Sequence, residues 1–179
     1  MIKYLFIGLF ILLSYSANSQ EIKIIDGDTI KIDGETIRFS GIDTPETIYF
    51  KKYKQLCYLN RKKNYCGEIS KVKLIEKIGN KLVICDREKD KDQWGRTLAE
   101  CFVNEESLSV YLVKSGNALD WPYYSKGKFA LDQDFAKKNK LGLWNMDFIE
   151  PWVWRKKVRN FRKNKSLLPQ IDKWLEIKQ

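Results

Sequence analysis

The chain has 179 residues, of which 33 are Lys or Arg and 23 are Asp or Glu, so its formal net charge is +10. This length favours a single domain, and the positive charge indicates an acidic partner, such as nucleic acid, anionic lipid or cell-wall polymer, without choosing among them. Because the chain contains no histidine, any acid–base chemistry must come from other side chains.

Residues 1–19 have the pattern of a cleaved secretory signal. Lys3 precedes an apolar run over residues 4–13, and small residues at 17–19 predict cleavage before Gln20. The run is too short to span a bilayer comfortably, although an uncleaved anchor is the alternative. We therefore expect a secreted or periplasmic protein without a membrane span after cleavage.

A β-hairpin is predicted at the start of the mature chain. Alternating apolar positions over residues 21–40 predict an inward face made of Ile30, Ile32, Ile37 and Phe39. A two-residue turn at Asp33-Gly34 pairs Thr29 with Arg38. In this register Asp28 and Arg38 are neighbours that point to opposite faces, so their convergence requires a bulge or a strand end near Asp28.

The remaining elements follow from periodicity and from glycine stops. Residues 47–66 predict a loop followed by the start of a helix. Residues 81–85 and 96–103 predict strands around a charged turn at 86–93, and residues 105–114 and 129–139 predict helices. A helix over residues 68–78 is expected to bury Ile69, Val72, Ile75 and Ile78. This order predicts an α+β fold with a small β-barrel rather than an alternating parallel sheet.

A last helix is predicted from Pro151 onward. Its apolar positions are Trp152, Trp154, Val158 and Phe161. Its other face is basic and includes Arg155, and we expect that face to be solvated rather than to lie on a polyanion.

Four cysteines predict two disulfides in an exported chain: Cys57, Cys66, Cys85 and Cys101. Three pairings are possible. A Cys57–Cys66 bond would close a short polar loop, and a Cys85–Cys101 bond would cross-link two predicted strands. A four-cysteine zinc site is disfavoured because the spacing contains no CxxC pair.

Oxygen donors are concentrated at the hairpin. Asp28, Asp43 and the carbonyl of Thr44 are the hard ligands that Ca²⁺ prefers, and Asp26 is a nearby acid. Acidic residues next to turns more often cap backbone amides, so each one taken alone is weak support for a metal site.

A base and two phosphate-binding arginines accompany these oxygens. Glu46 follows the rigid Thr44-Pro45 step and is suited to orient or deprotonate a water. Arg38 and Arg96 have guanidinium forks that fit phosphate oxygens. A solvated Glu46, or an Arg96 stacked on Trp94, is the competing structural interpretation.

The segments DGDT, IRFSGIDTPE and WGR, followed by LVKSGNAL and AKKNKLGLW, resemble the staphylococcal-type thermonuclease family over about residues 21–144. The resemblance implies an OB-fold, a five-stranded β-barrel with about three helices, over residues 20–144. Residues 145–179 are then an aromatic and basic extension. It further implies a Ca²⁺-dependent nuclease that cuts DNA and RNA by in-line attack of water with the 5′-oxygen leaving, and we expect it to be a monomer.

The resemblance also implies roles for individual positions. Asp28, Asp43 and Thr44 match the calcium ligands, Glu46 matches the base, Arg38 and Arg96 match the phosphate clamps, and Asp26 matches an acid behind the ligands. Trp94, Trp121, Tyr123 and Tyr124 are the candidate substrate contacts, and the Cys57–Cys66 segment is an insertion.

A non-catalytic OB-fold module that binds nucleic acid or another polyanion is the alternative, and a basic cell-envelope binding protein is a weaker one. The complete set of catalytic-type residues favours the enzyme, since a binding module does not need all of them.

Overall fold

A computed structural model describes residues 20–163. The predicted signal segment (1–19) and the end of the predicted extension (164–179) lie outside these residues. The strands are β1 Ile22–Ile24, β2 Thr29–Ile32, β3 Glu35–Phe39, β4 Ile42–Asp43, β5 Leu56–Leu59, β6 Lys62–Tyr65, β7 Ile84–Lys91, β8 Thr97–Val103, β9 Glu106–Ser107 and β10 Leu119–Asp120. The helices are α1 Cys66–Ile78, α2 Leu108–Lys114, α3 Pro122–Ser125, α4 Ala130–Lys138 and α5 Pro151–Lys163, with a 3-10 helix at Gly142–Asn145.

The central sheet has the strand order β1-β2-β3-β8-β7, with β9 paired to β8. The β3–β8 pair is parallel, and the other pairs are antiparallel. The α+β class is therefore confirmed, and the sheet-rich core agrees with an OB-like fold. Backbone hydrogen bonds within residues 20–163 do not close the sheet into the predicted barrel.

The first hairpin has the predicted register, with Thr29 opposite Arg38. Asp33 and Gly34 both have positive φ (47° and 90°), as a tight two-residue turn requires. The predicted inward face is confirmed: Ile30, Ile32, Ile37 and Phe39 are each at most 5% exposed. These side chains join one core with α1 and α2, and burying each of them contributes about 1.5–3 kcal/mol.

Helix α1 buries Ile78 as predicted and packs the half-buried Ile69 against a core cluster, but the rest of its buried face differs from the prediction. Val72 and Ile75 are exposed, whereas Ser70 and Leu74 are fully buried. The buried row runs through positions 66, 70, 74 and 78, which lie on one face because they are four residues apart. The Ser70 hydroxyl donates to the Asn117 carbonyl (2.6 Å), so a polar residue occupies a core position that apolar periodicity could not identify.

Several predicted element boundaries are wrong. Residues 47–66 contain the β5–β6 hairpin, and the predicted charged turn at 86–93 is mostly strand, since β7 continues to Lys91. Nearly all of β7 is exposed at the sheet edge, so its sequence is charged and lacks the alternation of a half-buried strand. Helix α2 begins at Leu108, after its N-cap Ser107.

Both disulfides suggested by the sequence are present. The Cys57–Cys66 bond joins β5 to the first residue of α1, and the Cys85–Cys101 bond links directly opposed residues of β7 and β8. All four cysteines are used in this way, so a zinc site built from them is excluded.

The predicted last helix is confirmed as α5. Trp154 and Val158 are buried and pack with Tyr53, which anchors this helix to the loop that follows β4. Within residues 20–163, none of the helices has both the length and the apolar character needed to cross a bilayer.

Candidate active site

The site is built where β2 begins and β4 ends. Asp28 directly precedes β2, so its side chain is free of the strand alternation and forms an ion pair with Arg38 of β3. The backbone still pairs here, because the Phe39 amide donates to the Asp28 carbonyl (2.8 Å). A strand end, one of the two conditions set by the register, therefore brings Asp28 and Arg38 together.

Arg38 connects the two predicted metal carboxylates. Its Nη2 donates to Asp43 Oδ1 (2.9 Å) and to the Ile42 carbonyl (3.0 Å), while Nη1 pairs with Asp28. Arg38 is only 8% exposed, so the outward face of β3 is covered by protein at this point. Burial lowers the pKa of the guanidinium, and the carboxylates of Asp43 and Asp26 oppose that effect.

Thr44 and Asp26 fix the position of Asp28. The amide and the hydroxyl of Thr44 each donate to Asp28 Oδ2 at 2.8 Å. Asp26 Oδ1 accepts from the Asp28 amide (3.1 Å). Burial raises the pKa of Asp26, and the positive charge of Arg38 partly offsets this rise. Asp26 thus supports Asp28 through the backbone.

Glu46 is held from behind by a residue that the sequence analysis missed. The backbone amide of Glu46 donates to Gln55 Oε1 (3.2 Å), and the backbone amide of Gln55 donates to the backbone carbonyl of Glu46 (3.1 Å). Gln55 is fully buried, and its Nε2 donates to the Ile149 carbonyl (2.6 Å) just before α5. A glutamine in an aperiodic segment carries no sequence signal of this role.

Gly67 is the second missed residue. A Cβ at this position would lie 2.3 Å from the carbonyl carbon of Glu46 and 2.4 Å from the Thr47 nitrogen. The Glu46 backbone can approach α1 only because Gly67 has no side chain. Glycine is unfavourable for helix formation, so a glycine in the first turn of a predicted helix was the sequence signal that another role requires it.

Arg155 of α5 is the largest departure from expectation. It was predicted on a solvated basic face, but its side chain is only 15% exposed. Nη2 donates to Asp43 Oδ2 (2.6 Å), and Nη1 donates to Asp43 Oδ1 (3.0 Å) and Glu46 Oε1 (2.7 Å). Burial alone would lower the pKa of Arg155, but the two carboxylates raise it above its ordinary value. Helical periodicity indicates which residues share a face, but not where that face docks.

The carboxyl group of Glu46 has a raised pKa. Burial is the main cause, and the positive charge and hydrogen bond of Arg155 act in the opposite direction. A raised pKa caused by burial beside a specific charge partner is typical of functional carboxylates.

Arg96 lies on the other side of the cluster. Its Nε donates to Asp92 Oδ2 (2.7 Å), its Nη1 reaches Thr29 Oγ1 (3.4 Å), and its guanidinium lies 5.1 Å from the centre of the Trp94 ring. The predicted stacking on Trp94 is therefore present, and Arg96 also reaches the residue next to Asp28.

The predicted aromatic contacts form two groups. Trp121 lies beneath Arg155, whose guanidinium is 5.4 Å from the ring centre, and it stacks on Trp152 at 5.8 Å. Tyr124 packs edge-on against Trp121 and Tyr123, and both tyrosines are exposed. Trp94 belongs to the Arg96 side and is 72% exposed.

The donor chemistry fits a hard divalent cation. Within residues 20–163, no group of three or more acidic, cysteine or histidine side chains has an arrangement that would hold a metal by itself. Asp28 and Asp43 would supply carboxylates and Thr44 a backbone carbonyl, and waters would complete the shell. That a guanidinium already rests against Asp43 and Glu46 shows that this position accepts a cation.

Comparisons with known proteins show which proteins this chain is similar to. A family model described as staphylococcal nuclease homologue matches residues 36–146. The succinoglycan biosynthesis protein ExoI of Rhizobium meliloti is 32% identical over 68% of this chain and 61% of its own length. Protein ParB of Escherichia coli is 30% identical over 79% of this chain and 80% of its own length. The thermonuclease of Staphylococcus intermedius is 31% identical over 68% of this chain and 73% of its own length.

The residues matched by the family model include most of the site. Arg38, Asp43, Thr44, Glu46 and Arg96 lie inside the match. Helix α5 lies beyond it, so the arginine that this helix adds to the cluster is not part of the matched region.

Proposed function

The chain belongs to the staphylococcal nuclease homologue family, and on that premise we propose that it is a metal-dependent nuclease that hydrolyses phosphodiester bonds of DNA and RNA. The observation that carries the proposal is a cluster of three carboxylates, the buried Asp28 and Asp43 and the half-buried Glu46, bridged by the guanidinium groups of Arg38 and Arg155.

Glu46 is assigned to the attacking water. Its backbone is fixed by Gln55 and Gly67, and its raised pKa makes it a stronger base than an exposed glutamate. The water would attack phosphorus in line with the leaving 5′-oxygen, while Glu46 accepts its proton.

Arg96 and Arg38 are assigned to the negative charge that develops on the phosphoryl oxygens. A guanidinium can donate two parallel hydrogen bonds to such oxygens, which a lysine cannot do. Arg96 is held by Asp92 but keeps part of its side chain exposed. Arg38 is occupied by Asp28 and Asp43, so it can turn to phosphate only when another cation balances those carboxylates.

Calcium is the cation that we propose, with Asp28, Asp43 and the Thr44 carbonyl as its protein ligands. When bound, it would supply Lewis-acid stabilisation of the phosphoryl oxygens. Hard carboxylate and carbonyl oxygens support this choice over a softer metal.

The substrate contacts that we propose are aromatic and electrostatic. Trp121, Tyr123 and Tyr124 offer faces for base stacking near Glu46, and Trp94 offers another near Arg96. The net charge of +10 favours a polyanion and predicts cleavage that weakens with salt.

We further propose that the protein acts outside the cytoplasm. Two disulfides support an oxidising compartment. The predicted signal segment would provide the route of export.

The test is cleavage of plasmid DNA and of RNA by the purified mature chain with calcium or with chelator, beside a Glu46→Gln variant. We expect cleavage only with calcium and a large loss of turnover in the variant, with nucleic-acid binding retained. Binding without cleavage under every condition would instead support the non-catalytic OB-fold module.

A further inference from the structure

Arg155 occupies the side of Asp43 that faces Glu46. We propose that Arg155 and the divalent cation are alternative partners of Asp43, so that α5 holds the site in a metal-free, inactive state. This inference rests on the proposed nuclease function, because it concerns the regulation of that same site.

The geometry of Asp43 makes the two partners exclusive. Asp43 has no exposed surface, and Arg155 contacts both of its oxygens while Arg38 contacts one of them. A carboxylate offers about four acceptor positions, and these three hydrogen bonds use most of them. A dication at this carboxylate would also meet a guanidinium at contact distance, where like charges repel strongly.

One side chain blocks three parts of the site at once. Besides Asp43, Arg155 holds Glu46 Oε1 (2.7 Å), so the proposed base has a donor where water would bind. The same guanidinium lies over the ring of Trp121, one of the aromatic side chains proposed to stack on nucleobases. Trp152 of the same helix also stacks on that ring. Withdrawal of Arg155 would therefore free a metal ligand, the base and an aromatic face together.

The helix keeps this competitor in place. Trp154 and Val158, on either side of Arg155, are 1% and 0% exposed and pack with Tyr53. An anchored group competes at a high effective concentration, unlike a free cation. The competition therefore sets a threshold of cation concentration below which the site stays closed.

Calcium binding without nucleic acid tests the inference. Isothermal titration would compare the full mature chain with Arg155→Ala, with Arg155→Gln, which keeps more of the side-chain volume, and with Arg159→Ala as the matched control. Arg159 lies one turn further along α5, is exposed and donates to the Tyr49 hydroxyl, so its removal changes the net charge equally without touching the carboxylates.

We expect both Arg155 variants to bind calcium at least about tenfold more tightly than the wild type and Arg159→Ala, because a charge-assisted competitor has been removed. Thermal unfolding gives a second measure: the calcium-induced rise in Tm should be larger for the Arg155 variants.

Unchanged or weaker calcium binding in both Arg155 variants would overturn the inference and would make Arg155 a support of the metal position. The absence of calcium binding in the wild type and in every variant would also overturn the inference. If the Arg155 variants bind calcium more tightly but cleave neither DNA nor RNA, the competition stands and the proposed nuclease function fails.

Discussion

Replacing Gly67 by alanine tests whether close packing of α1 positions the proposed base. Two effects oppose each other at this site. In an ordinary helix position, Gly→Ala is favourable by about 0.5–1 kcal/mol because alanine loses less backbone entropy on folding. Here the new Cβ would lie 2.3 Å from the Glu46 carbonyl carbon, about 1 Å short of ordinary van der Waals contact at 3.4 Å.

The steric effect is expected to win. The atoms that the Cβ meets are backbone atoms of Glu46 and Thr47, and Gln55 ties that backbone on the other side, so no flexible side chain can yield. Overpacking of this kind costs about 1–3 kcal/mol. A shift of about 1 Å at a catalytic group can lower turnover by about a hundredfold.

The measurements are urea denaturation and initial cleavage rates for Gly67→Ala, with Val72→Ala as the control. Val72 lies on the exposed face of the same helix and contributes nothing to the site. We expect a lower unfolding free energy and about hundredfold slower cleavage in Gly67→Ala, and near-normal turnover in the control. Wild-type turnover together with unchanged or increased stability in Gly67→Ala would refute the steric argument.

Three other substitutions test the remaining parts of the site. Arg96→Ala should slow cleavage by on the order of a hundredfold. Arg87→Ala, which removes an equal charge from an exposed position, should not slow it. Equal cleavage rates in the two variants would exclude Arg96 from phosphate binding. Arg38→Lys should lower both turnover and the unfolding free energy, since one ammonium cannot bridge the two carboxylates, and urea denaturation with wild-type stability would contradict this. Burial alone would raise the pKa of Asp92, but hydrogen bonds from Arg96 hold that pKa below its ordinary value. The ionised Asp92 therefore stabilises the fold fully above about pH 3.9, the pKa of an unfolded aspartate, and this stabilisation is lost as pH falls through the lower folded-state pKa. The difference in Tm between wild type and Asp92→Asn should therefore be present at pH 7 and shrink in acid, and a gap independent of pH would exclude this linkage.

Local signals in the sequence were sufficient for the first hairpin and its neighbours. Asp33-Gly34 determines the turn, and the turn determines the register that pairs Thr29 with Arg38. The strand end at Asp28, which the sequence offered as one of two conditions, then brings the Asp28 side chain to Arg38. The sequence left three cysteine pairings open, and the Cys85–Cys101 bond of the structure is the one among them that joins two adjacent strands. These features depend on interactions between residues that are close along the chain.

Long-range packing produced the features that the sequence analysis missed. The buried face of α1 includes Cys66, which is bonded to Cys57, and Ser70, and neither residue contributes to an apolar pattern. Arg155 is 112 residues from Asp43 in the sequence. The apolar and basic faces of its helix are as compatible with a solvated Arg155 as with a buried one. Which charged residue of an amphipathic helix becomes buried depends on the acids of the surface that receives it.

The bond between Cys57 and Cys66 has a consequence for the cell that makes this protein. It lies beside Gly67, and the Cys66 amide donates to the carbonyl of Gln55, the residue that braces Glu46. Cytosolic thiols remain reduced, so under the proposed function an exported chain would lack this disulfide while it is still among the cell's own nucleic acid. We expect the reduced protein, or a Cys57→Ser/Cys66→Ser variant, to digest nucleic acid much more slowly than the oxidised form, and equal digestion would exclude such self-protection.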